Sequence, residues 1–482
     1  MNNNLGIKEW GMFINGNWSF PKDRSTFDVE NPYTDECIGT LPIANIDDVN
    51  EATSSAEDHF NDDLLSLNDR YNILLDISKS IERDADLLSD ILVQEVGKTK
   101  TEASGEVKSA IDAFVLAAEE AKRITGNEIP MSNKITDEKS KYAVTMKVPS
   151  GPICAITAFN APLNQGAHKI AAAIAAGCTV VLKPSPFTPF HAIHLVNIMI
   201  EAGLPKGHIQ LLFGGVEVGD ALLESQKFSR YMFTGSLNVG KQIAVKAGLR
   251  PVILEMGSNA PNIVHKDADI DVAVQSCLSG FALAGQVCTS VHRLFVHEDI
   301  YQEFSDKFIE KIKGLKVGDP MNSDTDIGPV RNDQSSYKFD KLIKEATDGG
   351  ATILHGGNRD GRLISPTILS NLEKDMKVYF DETFLPIINL IPYKDFDAII
   401  KESNDSIYGL QAGVFTSNLH LAFKAARELK VGGVMINDAS RYRVAQMPFG
   451  GVKGSGVGRE GLPYAIELLS DLKNVVFTSN NF

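Results

Sequence analysis

Basic side chains are in short supply here. Of 482 residues, 47 are Lys or Arg against 62 Asp or Glu, a net charge of −15. No basic excess exists to neutralise a phosphate backbone, so nucleic acid is not an expected partner. Cysteine is sparse too. Cys37, Cys154, Cys178, Cys277 and Cys288 are odd in number, widely spread and lack a Cys-x-x-Cys pair. That excludes a disulfide framework and a zinc ribbon, and implies reduced thiols in the cytoplasm. No apolar run reaches the ~20 residues that span a bilayer. Met1-Asn2-Asn3-Asn4 lacks a basic-then-apolar leader. No metal is expected: His191 and His194 stand three apart, but no Cys or carboxylate motif joins them. Internal repeats and low-complexity segments are absent as well.

What remains is a 43% hydrophobic, 23% charged chain, too long for one ordinary core. Residues 47–125 are helical in character, with Ile73, Leu74, Ile77 and Ile81 at helical spacing. From about 150 the texture changes to short apolar strands alternating with helices. Strands are expected over 153–157, 179–183, 209–213, 231–233 and 251–255, with helices over 189–202, 217–225 and 236–247 between them. A second alternating region runs from 258 to 440, with apolar runs at 293–296, 387–391 and 433–436. Short connectors between strand and helix predict parallel sheets covered on both faces, an α/β fold. Residues 123–147 interrupt the pattern as a hairpin-like arm. The tail around Asn474–Thr478 is a lone strand in need of an edge, expected on the arm of another subunit.

Two segments carry chemistry. Cys288 lies in Ala-Gly-Gln-Val-Cys-Thr-Ser, a thiol between a glycine turn and small hydroxyl residues where a substrate can reach it. Glu255, in Leu-Glu-Met-Gly, is a carboxylate able to activate water if the fold returns it to that thiol. Phe233-Thr234-Gly235-Ser236 ends a strand and opens a helix, a place for a pyrophosphate, although it does not read Gly-x-Gly-x-x-Gly.

Seven segments in one order make the chain resemble the aldehyde dehydrogenase superfamily. They are residues 157–162 (Thr-Ala-Phe-Asn-Ala-Pro), 182–185 (Leu-Lys-Pro-Ser), 233–236, 254–257, 285–288, 382–384 (Glu-Thr-Phe) and 448–456 (Pro-Phe-Gly-Gly-Val-Lys-Gly-Ser-Gly). The resemblance implies a variant Rossmann cofactor domain over 1–122 and 148–256 and an α/β catalytic domain over 257–445. It also implies a β oligomerisation arm and tail over 123–147 and 468–482, serving a homo-oligomer that is a dimer or a dimer of dimers. Cys288 is then the nucleophile, Asn160 the oxyanion donor and Glu255 the base for hydrolysis of a thioester. Glu467 matches a further family carboxylate with a proton-relay role.

The same resemblance places the cofactor against Thr157, Ala158, Phe159, Lys183, Ser185, Pro186, Phe233, Gly235, Ser236, Gly257, Glu382 and Phe384. Pro186 stands where many NAD-preferring members carry Glu. Without that anion, Lys183 can attract a 2′-phosphate, so NADP is expected as the preferred cofactor and NAD as the second. Ser258 and Leu385 depart from the usual glycines near the nicotinamide. Gln165, Arg441, Tyr442 and Phe449 are the expected substrate contacts. The polar 437–443 segment resembles lactaldehyde and glyceraldehyde dehydrogenases, which implies a small hydroxyaldehyde substrate. Succinate semialdehyde is the alternative, since an Arg would pair with its carboxylate. A structural protein that kept the fold is the alternative from another class. It predicts loss of Cys288, Glu255 and Asn160, which are all present.

Overall fold

The computed structural model describes residues 11–131 and 141–478. Met1-Asn2-Asn3-Asn4, the middle of the expected arm (132–140) and the tail end (479–482) lie outside the described residues. Ile153–Ile156, Val180–Lys183, Ile209–Leu211, Arg230–Thr234 and Val252–Glu255 pair in parallel. They are almost wholly buried, as strands covered by helices on both faces must be. Counted along the chain, their spatial order is third, second, first, fourth, fifth. The order reverses between Ile153–Ile156 and Arg230–Thr234, and a crevice beyond the carboxyl ends is the ligand position such a reversal creates.

Both edges of this sheet are antiparallel. Met12–Ile14 and Asn17–Ser19 close one side, and Gly456–Val457, from the glycine-rich 448–456 segment, closes the other beside Val252–Glu255. Helices Leu67–Arg83, Lys100–Ala121 and Pro162–Ala176 pack together on the sheet. The first two start with capping boxes, Ser66 with Asp69 and Thr99 with Glu102, which satisfy N–H groups the helix itself cannot.

A second sheet runs in the order Thr352–His355, Thr367–Ser370, Ile387–Tyr393, Arg293–His297, Pro261–Val264, Gln411–Phe415, Gly433–Ile436. All its pairings are parallel except that of Thr352–His355. Separate apolar clusters fill the two halves, one around Ile153 and Leu182, the other around Leu294 and Leu390.

The tail corrects one expectation. Ser470–Thr478 pairs antiparallel with Lys141–Pro149 of its own chain, from Ser470 opposite Pro149 to Thr478 opposite Lys141. An intrachain edge was available because the preceding helix, Leu462–Leu468, delivers the tail beside the arm. His191 and His194 also part company. The first pairs with Glu95 at 2.8 Å and the second with Asp84 at 3.0 Å. Among the described residues no helix is long and apolar enough to cross a membrane.

Candidate active site

Cys288 owes its position to a strained turn. The 3₁₀ segment Leu278–Gly285 ends with three left-handed residues, Leu283 at φ 50°, Ala284 at φ 51° and Gly285 at φ 72°. Two of them carry a Cβ that this conformation disfavours. Glu102 holds the turn by accepting from the Leu283 N–H at 2.6 Å. A Cβ at Gly285 would come within 2.1 Å of the Leu385 carbonyl oxygen, so the turn can approach that loop only as glycine. The result is a thiol that is partly accessible.

That thiol faces a cavity of about 600 Å³ that also takes in Asn160, Gln165, Glu255, Arg441 and Phe449. Glu255, the last residue of Val252–Glu255, sits against the Cys288 thiol and can accept its proton. Burial, reinforced by the charge of Glu460, pushes the Glu255 carboxyl up to about 8. Burial and the adjacent Glu255 likewise raise the Cys288 thiol well above its ordinary range. Asn160 donates from Nδ2 to the Gln286 carbonyl at 2.9 Å and accepts at Oδ1 from Gln165 Nε2 at 2.8 Å.

Behind Glu255 lies a buried ion cluster. Lys169, fully buried, donates to Thr234 Oγ1 and to Glu460 Oε1, each at 2.7 Å. Arg443 donates to Glu460 Oε2 at 3.2 Å and lies 3.8 Å above the Phe449 ring. Two cations hold Glu460 down to about 2, so it stays charged. The expected relay carboxylate, Glu467, is instead exposed and pairs with Lys147 of the arm. Glu460 is the carboxylate that reaches Glu255 electrostatically.

Arg441 and Arg443 have different fates. Ser440, fully buried, donates to the Thr289 carbonyl at 2.9 Å and accepts from Asn262 at 3.0 Å, which ties the 437–443 loop to the cysteine loop. Arg441 is thereby fixed at the cavity, but its Nη1 is buried with no hydrogen-bond partner. Burial lowers its affinity for a proton, and the groups that oppose this are Glu102 and Cys288. Tyr442, expected as a substrate contact, is 50% exposed and does not line the cavity. His168 does line it. Burial pushes its imidazole down to about 3, so it is neutral, and its Nδ1 lacks a partner.

The crevice at the sheet reversal gathers the other expected residues. Thr157 follows the first strand, and its Oγ1 is buried without a partner. Ala158 donates its N–H to Gln165. The Phe159 ring meets Phe384 edge-on at 6.0 Å, and Phe384 is held at φ 55°. Lys183 ends its strand, and burial lowers it to about 8. Ser185 accepts from the Phe187 N–H across Pro186 at 3.3 Å. Phe233 is buried, Gly235 donates to the Glu255 carbonyl at 3.1 Å, and Ser236 caps helix Leu237–Ala247.

A neighbouring cavity of about 480 Å³ joins Ser236 to Lys338 and Glu382. Glu382 accepts from the Ser258 N–H at 2.9 Å, and a Cβ at Gly257 would come within 2.3 Å of its carboxylate. Lys338 braces the same loop by donating to the Thr383 carbonyl at 2.7 Å. A free hydroxyl, a capped helix N-terminus and a carboxylate beside a lysine fit a nicotinamide dinucleotide: ribose hydroxyls at Glu382, pyrophosphate at Ser236.

His168, Lys169, Lys338, Ser440 and Glu460 escape the sequence reading. One signal was present. Gln165, His168 and Lys169 fall at i, i+3 and i+4 of an otherwise alanine-rich helix, Pro162–Ala176, and so share one face.

The profile of the Aldehyde dehydrogenase family matches residues 18–475. A 3-sulfolactaldehyde dehydrogenase of Priestia aryabhattai is 45% identical over 473 residues, covering 98% of each chain. A lactaldehyde dehydrogenase of Methanococcus aeolicus is 38% identical and covers 96% of this chain and 99% of its own. Among solved structures, a glyceraldehyde-3-phosphate dehydrogenase from Methanocaldococcus jannaschii, complexed with NADP, superposes with a TM-score of 0.91 at 38% identity. It covers 95% of this chain and all of its own.

Proposed function

The chain belongs to the aldehyde dehydrogenase family, and from that premise we propose that it oxidises a small hydroxyaldehyde with a terminal anion to the acid. The observation that carries the oxidation is the convergence of Cys288, Glu255 and Asn160 on one cavity beside the crevice. Cys288 sulfur bonds to the aldehyde carbon as its proton passes to the Glu255 carboxylate. The oxygen becomes an alkoxide, stabilised by Asn160 Nδ2 and the Cys288 N–H. A nicotinamide dinucleotide held by Ser236 and Glu382 would supply the hydride acceptor for that carbon, and loss of the hydride would leave the Cys288 sulfur carrying a thioester. Once Glu255 has released its proton it draws one from water. The hydroxide attacks, the C–S bond breaks and the thiolate regains a proton. A structural protein has no use for this constellation.

The anion follows from Arg441. A guanidinium set in a cavity with a buried, unpartnered Nη1 has a donor to spare that a carboxylate, sulfonate or phosphate would take. The neutral His168 imidazole supports a contact to the substrate hydroxyl. The Priestia relative acts on a hydroxyaldehyde of this kind. Glyceraldehyde and lactaldehyde fit the hydroxyl side alone, and succinate semialdehyde the anion side alone. Assayed against 3-sulfolactaldehyde, lactaldehyde and succinate semialdehyde, Arg441→Gln should lower kcat/KM for the first and third about 10- to 150-fold. That is the range for ~1.5–3 kcal/mol of charge-assisted bonding. Lactaldehyde should change little. An equal fall for lactaldehyde would sink the assignment.

NADP is proposed as the preferred cofactor, supported by Lys183 at a strand end and by Pro186 beyond it. Pro186→Glu places an anion there and should shift the NADP-to-NAD ratio of kcat/KM toward NAD by roughly tenfold or more, ~1.4 kcal/mol. An unmoved ratio would show that position 186 does not read the ribose. Tyr142, Met146, Leu472 and Phe477 are exposed on the arm-and-tail sheet, which supports self-association through it. The reactive thiol supports a reducing, cytoplasmic setting.

A further inference from the structure

We infer that Gln165 is a positioning residue that selects which end of the Asn160 amide meets the reacting oxygen, an inference resting on the oxyanion role proposed for Asn160. The donor and acceptor ends of a side-chain amide have nearly the same shape, so shape alone does not orient it. Here backbone groups at both ends of a relay decide. The Ala158 N–H can only donate, and it reaches Gln165 Oε1 at 2.8 Å. Gln165 must then present Nε2 to Asn160, and Asn160 must receive it on Oδ1, at 2.8 Å. Asn160 is left with Nδ2 at its other end, where the Gln286 carbonyl, which can only accept, lies at 2.9 Å.

Turning either amide over sets donor against donor or acceptor against acceptor at both of its contacts. Asn160 and Gln165 are each 6% exposed, so little water is available to repair the mismatch. The anchors are firm. Gln165 sits in the first turn of Pro162–Ala176, with its N–H on the Ala161 carbonyl at 2.9 Å. Gln286 is held from outside by the Arg331 N–H on its Oε1 at 2.9 Å. The relay therefore starts on the floor of the cofactor crevice at Ala158 and ends two residues before Cys288. It leaves the second N–H of Asn160 Nδ2 for an oxygen in the cavity that Asn160 and Cys288 share.

The test uses the full-length enzyme with cofactor. Gln165→Met removes the donor. Gln165→Glu keeps the shape and the Ala158 contact but turns an acceptor toward Asn160, which favours the reversed amide. Gln165→Met should lower kcat about 10-fold with KM within about 2-fold, and Gln165→Glu about 100-fold, since one oxyanion donor carries about 10²–10³ in kcat. Hydrolysis of p-nitrophenyl acetate, which needs sulfur and oxyanion but no hydride, should fall in step.

In an Asn160→Ala background neither substitution should cost more than about 2-fold, because nothing is left to orient. A change confined to KM would make Gln165 a substrate contact and overturn the inference. So would a full additional loss in the Asn160→Ala background. Wild-type turnover by Asn160→Ala alone would instead remove the oxyanion role, and the inference with it. Slow Asn160→Ala with unimpaired Gln165→Glu would overturn the inference alone.

Discussion

Cys288→Ala should lose aldehyde oxidation by about 10⁴-fold or more, the scale seen when a covalent nucleophile is removed. Cofactor affinity should stay within about 2-fold, because the crevice residues lie on other elements. The split follows from the structure. Cys288 follows a turn held by Glu102, whereas Thr157, Ser236 and Glu382 belong to separate strand ends and loops. No other thiol can substitute. Cys154, Cys178 and Cys277 are buried away from the cavity, and Cys37 is exposed on a distant strand. Burial holds Cys154 up to about 12, so it is inert as well as remote. Steady-state rates from cofactor reduction, with NADP titration of the same preparation, separate the two effects. Residual oxidation within 100-fold of wild type would mean that sulfur is not the nucleophile.

The doubly buried strands were legible in the sequence because Ile153–Ile156 and Val180–Lys183 are uninterrupted apolar runs, the signature of burial on both faces. Gly456–Val457 was not: it is two residues long and pairs with a strand roughly 200 residues away. Met12–Ile14 has a local sign in the Asn15-Gly16 turn to Asn17–Ser19, but nothing local places that hairpin against Ile209–Leu211. Cys288 and Glu255 stood out as a thiol and a carboxylate beside glycine and small residues, and Asn160 through the family resemblance of residues 157–162.

Their surroundings did not stand out. Glu460 and Glu467 lie seven apart, and only the fold shows that one meets Lys169 while the other meets Lys147. Arg441 and Arg443 are likewise indistinguishable until Glu460 is seen to take the second. Period and composition report which face is buried. They do not report which charges meet across nearly 300 residues.

Glu255→Gln separates acylation from hydrolysis, and its pH behaviour is fixed by burial. Hydrolysis needs the carboxylate, and Glu255 is pushed up to about 8, so turnover limited by hydrolysis should climb as pH rises through that value. The amide cannot take a proton from water. Steady-state oxidation should fall about 10²–10⁴-fold, the usual worth of a positioned base, and the rise near pH 8 should disappear. A burst of reduced cofactor should persist at high thiol pH, where loss of the Cys288 proton no longer needs Glu255. Mass spectrometry of the quenched protein should then show the acyl group on Cys288.

Stability should move the other way. A carboxyl whose folded pKa lies above its unfolded one binds protons more tightly in the native state. Its contribution is complete below the ordinary carboxyl range and is lost as pH rises toward about 8. Glutamine has no charge to bury, so Glu255→Gln should melt higher than wild type above pH 8 while turning over far more slowly. A variant that keeps the pH 8 limb and accumulates no acyl enzyme would show that water is activated by another group.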